Sequence, residues 1–172
     1  MQLIMRLEIQ SKQNIIDFLN SEPVGRIWLS TSHTNEFCLG TRDRHARTST
    51  SDSENRCSLY ASHPDSEKLG NTKRNSKVEF EVEWRICILP SYYVHPSDAS
   101  QADTLYISVV IKGNAQIVDD NEEKTDALNS LMEKYQKEGY MQSVQKVRVI
   151  KIITQVMRGK YKIGRHWTPD TD

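Results

Sequence analysis

The chain has 172 residues, and its 23 basic and 23 acidic side chains give a net charge of zero. That length suits a single domain spanning residues 1–172, and the charge balance argues against a nucleic-acid binder, which is normally basic. No window approaches the ~18 consecutive apolar residues that a membrane span needs. Three cysteines, Cys38, Cys57 and Cys87, are odd in number and have no CxxC spacing. They fit free thiols in a reducing compartment better than a disulfide framework or a zinc site. The first ten residues carry Arg6 and Glu8 and lack a small-residue cleavage site, so the expected location is cytoplasmic.

In chain order, Ser11–Asn20 reads as a short helix, with Ser11 as its cap and Ile15, Ile16 and Leu19 on one side. Pro23 stops it. VGRIWLST, Val24–Thr31, is β-branched and aromatic and reads as a strand, and Leu59–Ser62 reads as the end of another. After Pro64, the segment Asp65–Arg74 has an acid near its start and Lys73 and Arg74 near its end, the charge order that complements a helix dipole.

KVEFEVEW, Lys77–Trp84, alternates Val78, Phe80, Val82 and Trp84 with charged residues, so one face is buried and the other wet. Arg85–Thr104 contains two prolines and reads as a long excursion. Leu105–Val118 is a long strand with a bulge or bend expected at Gly113. Asp119–Lys137 is a helix capped by Asp119 or Asp120, with Leu128, Leu131, Met132 and Tyr135 as its apolar stripe. Val144–Val156 is a last strand, and Lys160, Lys162 and Arg165 then form a basic tail.

Successive strands broken by a few short helices predict a mainly β domain, an antiparallel barrel with appended helices. No GxGxxG follows a strand, which disfavours a parallel dinucleotide-binding fold.

The order of four motifs then carries a resemblance. VGRIWLST, LYASHPDSEKLGNTKRNSKVEFEVE, YISVVIKGNAQIVDDNEEKTDALNSLMEKY and a final strand ending in RGK together resemble the pyridoxamine 5′-phosphate oxidase-like flavin-binding split barrels. Within that family the chain is most similar to the small nitroimidazole-resistance-type flavoproteins, from about Ile15 to Lys160. The resemblance implies a six-stranded antiparallel Greek-key split β-barrel with two or three peripheral helices. It also implies a homodimer holding FMN between its subunits, a small-molecule substrate, and redox chemistry carried out by the flavin. Non-catalytic flavin binding, or binding of deazaflavin or haem on the same fold, is the alternative.

A phosphate needs a cation and N–H or hydroxyl donors, ideally at a helix N-terminus. Ser66 and Lys68 stand at such a place, and the resemblance assigns them to the FMN phosphate. It places Arg26, Ser30 and Thr31 along the flavin on the first barrel strand, and Ala61 and Ser62 beside it before the phosphate loop. Tyr106 and Ser108 match a Tyr-x-Ser-Val pattern near the flavin or the dimer seam. Trp28, Trp84 and Trp167 read as core or interface anchors.

One stretch departs from the family. Two further strands are expected between Thr31 and Tyr60, yet residues 41–58 read TRDRHARTSTSDSENRCS, with only Ala46 and Cys57 apolar. Such a sequence presents no alternating apolar face to a barrel. Two explanations stand: a long loop, or a segment translated out of frame. Leu39–Arg42 can be encoded so that the next frame reads Trp-Val-Pro-Val, and Asp52–Ser58 so that it reads Ile-Gln-Lys-Ile-Asp-Ala-Leu. No site residue is therefore carried over between 38 and 58.

Overall fold

The computed structural model describes residues 5–30, 37–44, 57–93, 95–135 and 147–163. Its strands are β1 (Met5–Glu8), β2 (Val24–Ser30), β3 (Phe37–Arg44), β4 (Cys57–Ser62), β5 (Lys77–Leu89), β6 (Asp103–Val118) and β7 (Arg148–Ile163). Three helices accompany them, α1 (Lys12–Ser21), α2 (Glu67–Arg74) and α3 (Asn121–Tyr135).

All the strand pairs are antiparallel, along the path β1–β7–β6–β5–β2–β3, with β4 also paired to β7. The long β7 serves two partners on its free edge. Its first part, Arg148–Ile153, takes β4, and Lys160–Ile163 takes β1. The sheet curls far enough to bring β3 close to β4. The ring β2–β5–β6–β7–β4–β3 is thus a six-stranded barrel open along one seam, and β1 is a short addition that the sequence reading did not anticipate.

The interior follows from the period-two alternation. Ile27 and Leu29 of β2, Val78, Phe80 and Val82 of β5, and Val109 and Ile111 of β6 are buried together with Ile150 and Ile152 of β7. Ile15, Leu19 and Leu69 close this core from the helices. A smaller cluster joins Ala127 and Leu128 of α3 to Val118 and Val149. The caps are the expected ones: Ser11 Oγ accepts from the Asn14 N–H, and an Asp120 carboxylate oxygen accepts from the Glu123 N–H at 2.8 Å.

Several expectations need correction. The excursion is shorter than Arg85–Thr104, because β5 runs on to Leu89 and β6 begins at Asp103. The β5–β6 ladder continues past a bulge at Arg85–Cys87, and cross-strand backbone hydrogen bonds sustain pairing where alternation alone gives no signal. Trp84, the last residue of the strand read from the sequence, is 42% exposed, so it is no core anchor. β7 likewise runs to Ile163, which places Lys160 and Lys162 in a ladder with β6 and β1 and not in a tail. Thr31, residues 45–56, 136–146 and 164–172 lie outside the described residues, and with them Arg165 and Trp167. β3 reaches Arg44, so the start of the polar stretch does form a strand, paired through its backbone with β2.

Gly113 sits where the β6–β7 register shifts, as its sequence position predicts. At the other end of the barrel, α3 clasps the corner between α1 and β2. Lys134 Nζ donates to the carbonyls of Leu19 at 3.0 Å and Glu22 at 2.7 Å, and Tyr135 Oη donates to the Pro23 carbonyl.

Burial lowers the Lys134 pKa to about 8 from 10.5, with Glu22 opposing the shift. Between these values the unfolded chain holds a proton that the folded chain has lost. This group's contribution to stability therefore rises with pH across that window. Urea unfolding between about pH 8 and pH 10 should show a positive slope that flattens in Lys134→Met. Equal slopes in the two proteins would reject the assignment.

Candidate functional site

The turn from β4 into α2 gathers the first group of candidate residues. Ser62 ends β4 opposite Arg148 and is buried, with an exposure of 6%. Among the described residues its Oγ has no hydrogen-bond partner, an orphan that needs an explanation. His63, Pro64 and Asp65 make the turn, in which the Ser66 N–H donates to the His63 carbonyl at 3.0 Å. Ser66 then caps α2, its Oγ accepting from the Lys68 N–H at 3.3 Å. Glu67 in the first turn and Lys73 and Arg74 in the last complement the helix dipole.

The start of α2 opens on a cleft of about 570 Å³ walled by Ser66, Gly70, Lys73, Ile117, Asp119 and Arg148. Two cations, a helix N-terminus and a capping hydroxyl are a donor set suited to an anion. Asp119, and Asp65 on the same cleft, limit how much negative charge it accepts. Lys68 is half-buried in the first turn of α2 and is not on these walls. Asn71 and Thr72, also on α2, are buried, and among the described residues Asn71 Nδ2 and Thr72 Oγ1 lack partners. The sequence reading did not single them out, since α2 is polar apart from Leu69 and Gly70 and little marks which polar residues turn inward.

The second group lies elsewhere, on the outer face of β2, β5 and β6. β6 buries Val109 and Ile111, so Tyr106, Ser108, Val110 and Lys112 point outward. Ser108 Oγ donates to Glu81 at 3.1 Å, Arg26 Nη1 meets Glu83 at 3.0 Å, and Lys112 Nζ meets Glu79 at 3.2 Å. The three glutamates of β5 thus form an acidic stripe with a partner for each. A cleft of about 940 Å³ runs over this stripe and across β5, β6, β7 and β1, with Glu79, Glu81 and Glu83 on its walls together with Arg6, Arg85, Arg158 and Lys160.

The structure therefore brings Ser62, Ser66 and Lys68 together, and separately Arg26, Tyr106 and Ser108. Ser30 closes β2 opposite Phe37, and Ala61 lies in β4 opposite Val149. The cations Arg6, Arg85, Arg158 and Lys160 come from three strands distant in sequence. Only the ladder register reveals that they share a face.

Fold and site define a class: an antiparallel split β-barrel whose serine-capped helix opens on a cation-bearing cleft. Residues 54–160 match the pyridoxamine 5′-phosphate oxidase family model, and the chain belongs to that family. The match begins near the end of the polar stretch and leaves out the strand β2, Val24–Ser30. No curated protein matches the chain by sequence.

Among solved structures, a candidate 5-nitroimidazole antibiotic resistance protein from Bacteroides thetaiotaomicron is similar at 21% identity and a TM-score of 0.74. The alignment covers 94% of this chain and 90% of that one. The flavocytochrome Anf3 from Azotobacter vinelandii is similar at 11% identity and a TM-score of 0.72, over 95% of this chain and 73% of that one. An FAD binding protein from Mycobacterium smegmatis is similar at 15% identity and a TM-score of 0.60, over 94% and 100%. At these identities the likeness concerns the fold. No helix among the described residues is long and apolar enough to cross a membrane.

Proposed function

We propose that the chain is an FMN-binding flavoprotein, a cytoplasmic homodimer with the flavin held between subunits, that passes electrons to a small molecule. The observation that carries this reading is the Ser66-capped N-terminus of α2, opening on a cleft with Lys73 and Arg148 on its walls. The orphaned Ser62 Oγ, one turn earlier in the chain, offers a further hydroxyl to a ligand. These groups fit a phosphate better than a neutral ligand, because each supplies a donor or positive charge.

FMN, when bound, supplies two-electron redox chemistry, with a reduced nicotinamide or another reductant as the electron source. The chain's part is to bind and orient. Ser66 and the first N–H groups of α2 hold the phosphate, Lys68 adds charge in the same turn, and Lys73 and Arg148 balance it from the walls.

A second reading is a non-catalytic carrier, or a binder of deazaflavin or haem. What favours it is that a solved neighbour from Mycobacterium smegmatis is described as an FAD and heme binding protein. Against haem, the described histidines His63 and His95 are exposed and line neither cleft.

Purified protein is expected to be yellow, or to take up added FMN, with flavin absorption surviving dialysis. A reduced nicotinamide should bleach it. Colourless protein that does not take up FMN would overturn the proposal, and bound flavin that no reductant bleaches would leave only the carrier.

A further inference from the structure

We propose that Asp119 sets the charge selectivity of the α2 cleft, admitting a ligand that ends in one phosphate and turning away one that carries a second; this rests on the phosphate reading of the α2 N-terminus. Two adjacent aspartates follow β6, and only one of them serves the fold. Asp120 caps α3, its carboxylate accepting from the Glu123 N–H at 2.8 Å and its carbonyl from the Lys124 N–H at 3.0 Å. Asp119 is exposed, and among the described residues its carboxylate has neither a hydrogen bond nor an ion pair. It stands on the cleft wall with Arg148, and the register explains why. Val118 pairs with Val149, so Asp119 leaves β6 at the level of Arg148, the residue opposite Ser62.

Space does not choose between one phosphate and two. The cleft measures about 570 Å³, within the range of roughly 300–1,000 Å³ for pockets that take a whole small molecule. Charge does choose. The α2 N-terminus carries about half a positive charge, and Ser66 and Lys68 stand in the same turn, so a first phosphate is met there. Glu67 shares that turn but is not on the cleft walls. Across the rest of the cleft the walls carry Lys73 and Arg148 against Asp65 and Asp119. Those charges cancel, which leaves a second phosphate with no net attraction.

Asp65 is the weaker of the two acids, because its side chain is 91% exposed and already faces His63 Nδ1 at 3.8 Å. Selectivity needs a group that repels the wrong ligand as well as groups that attract the right one. Asp119 is the acid that neither a cap nor an ion pair has claimed.

The test is displacement of FMN from the full chain by inorganic phosphate and by pyrophosphate, read by flavin fluorescence at fixed ionic strength. In the parent the two anions should displace FMN at similar concentrations. Asp119→Asn should strengthen pyrophosphate by about two- to fivefold, the reach of one exposed charge, and phosphate by less. Asp119→Glu keeps the charge and should behave as the parent. Asp17→Asn removes the same charge from α1, outside the cleft, and should change neither anion. Pyrophosphate that outcompetes phosphate by about tenfold in the parent overturns the proposal. So does a ratio unchanged in Asp119→Asn with FMN still bound, or an equal gain in Asp17→Asn. If the parent takes up no FMN, the flavin reading falls by itself, and calorimetric titration of the two anions reads the same ratio directly. Absence of anion binding as well overturns both.

Discussion

Gly113→Val is expected to leave little folded protein, with destabilisation of at least about 4 kcal/mol, the range reached only by severe backbone or core disruption. A Cβ at Gly113 would lie 2.1 Å from the Ile153 carbonyl oxygen and 3.0 Å from its carbonyl carbon. Those atoms are backbone of β7, the strand that pairs with β1, β4 and β6 at once. Relief would require β6 and β7 to separate at the register shift, where the ladder is already interrupted. A typical domain has only about 5–15 kcal/mol to lose.

Gly70→Ala is the matched control. Its Cβ meets nothing within 4 Å, and in a helix alanine is favoured over glycine by about 0.8–1.0 kcal/mol. Urea unfolding of both variants and the parent gives the comparison. A Gly113→Val midpoint matching the parent would sink the close-approach argument.

Where burial alternates cleanly, the residues declare their structure. Val78, Phe80 and Val82 mark β5, and Ser11 and Asp120 mark helix starts through capping chemistry that is entirely local. Gly113 marks the register shift because a glycine inside a strand rarely has another reason to be there. The ends of β5 and β7 were illegible because their outer parts leave the barrel. Arg85–Leu89 and Arg158–Ile163 are held by ladder hydrogen bonds and carry no row of buried side chains to enforce alternation. β1 is four residues long and pairs with the far end of β7, a partner more than 150 residues away that no local pattern announces.

The same division runs through the candidate site. Ser66 and Lys68 were legible because a helix start is a local event. The cations Arg6, Arg85, Arg158 and Lys160 were not recognised as a set, because what unites them is pairing between strands far apart in sequence. Asn71 and Thr72 were hidden by the opposite problem, two buried polar residues in a helix whose exposed residues are just as polar.

Lys68→Ala is expected to weaken FMN binding by about 10- to 100-fold, the worth of a hydrogen bond to a charged group, about 1.5–3 kcal/mol. Ser66→Ala should do the same in smaller measure, and should also cost about 1 kcal/mol of stability through loss of the cap. These two effects of Ser66 must be separated, since a frayed α2 would weaken any ligand at its N-terminus. Ser66→Asn keeps a capping side chain while removing the hydroxyl, so it should restore stability and leave FMN affinity reduced.

Riboflavin supplies the decisive contrast, because it presents the same ring without the phosphate. If Ser66 and Lys68 act on the phosphate, riboflavin affinity should be low in the parent and nearly unchanged in the variants. FMN affinity should fall toward that same low value. Fluorescence-quenching titrations with both flavins read this directly. Parallel losses for FMN and riboflavin would mean that the residues act through the shape of the turn and not through charge. FMN affinity unchanged in Lys68→Ala would remove that lysine from the site altogether, and leave the cations of the cleft wall, Lys73 and Arg148, as the groups to test next.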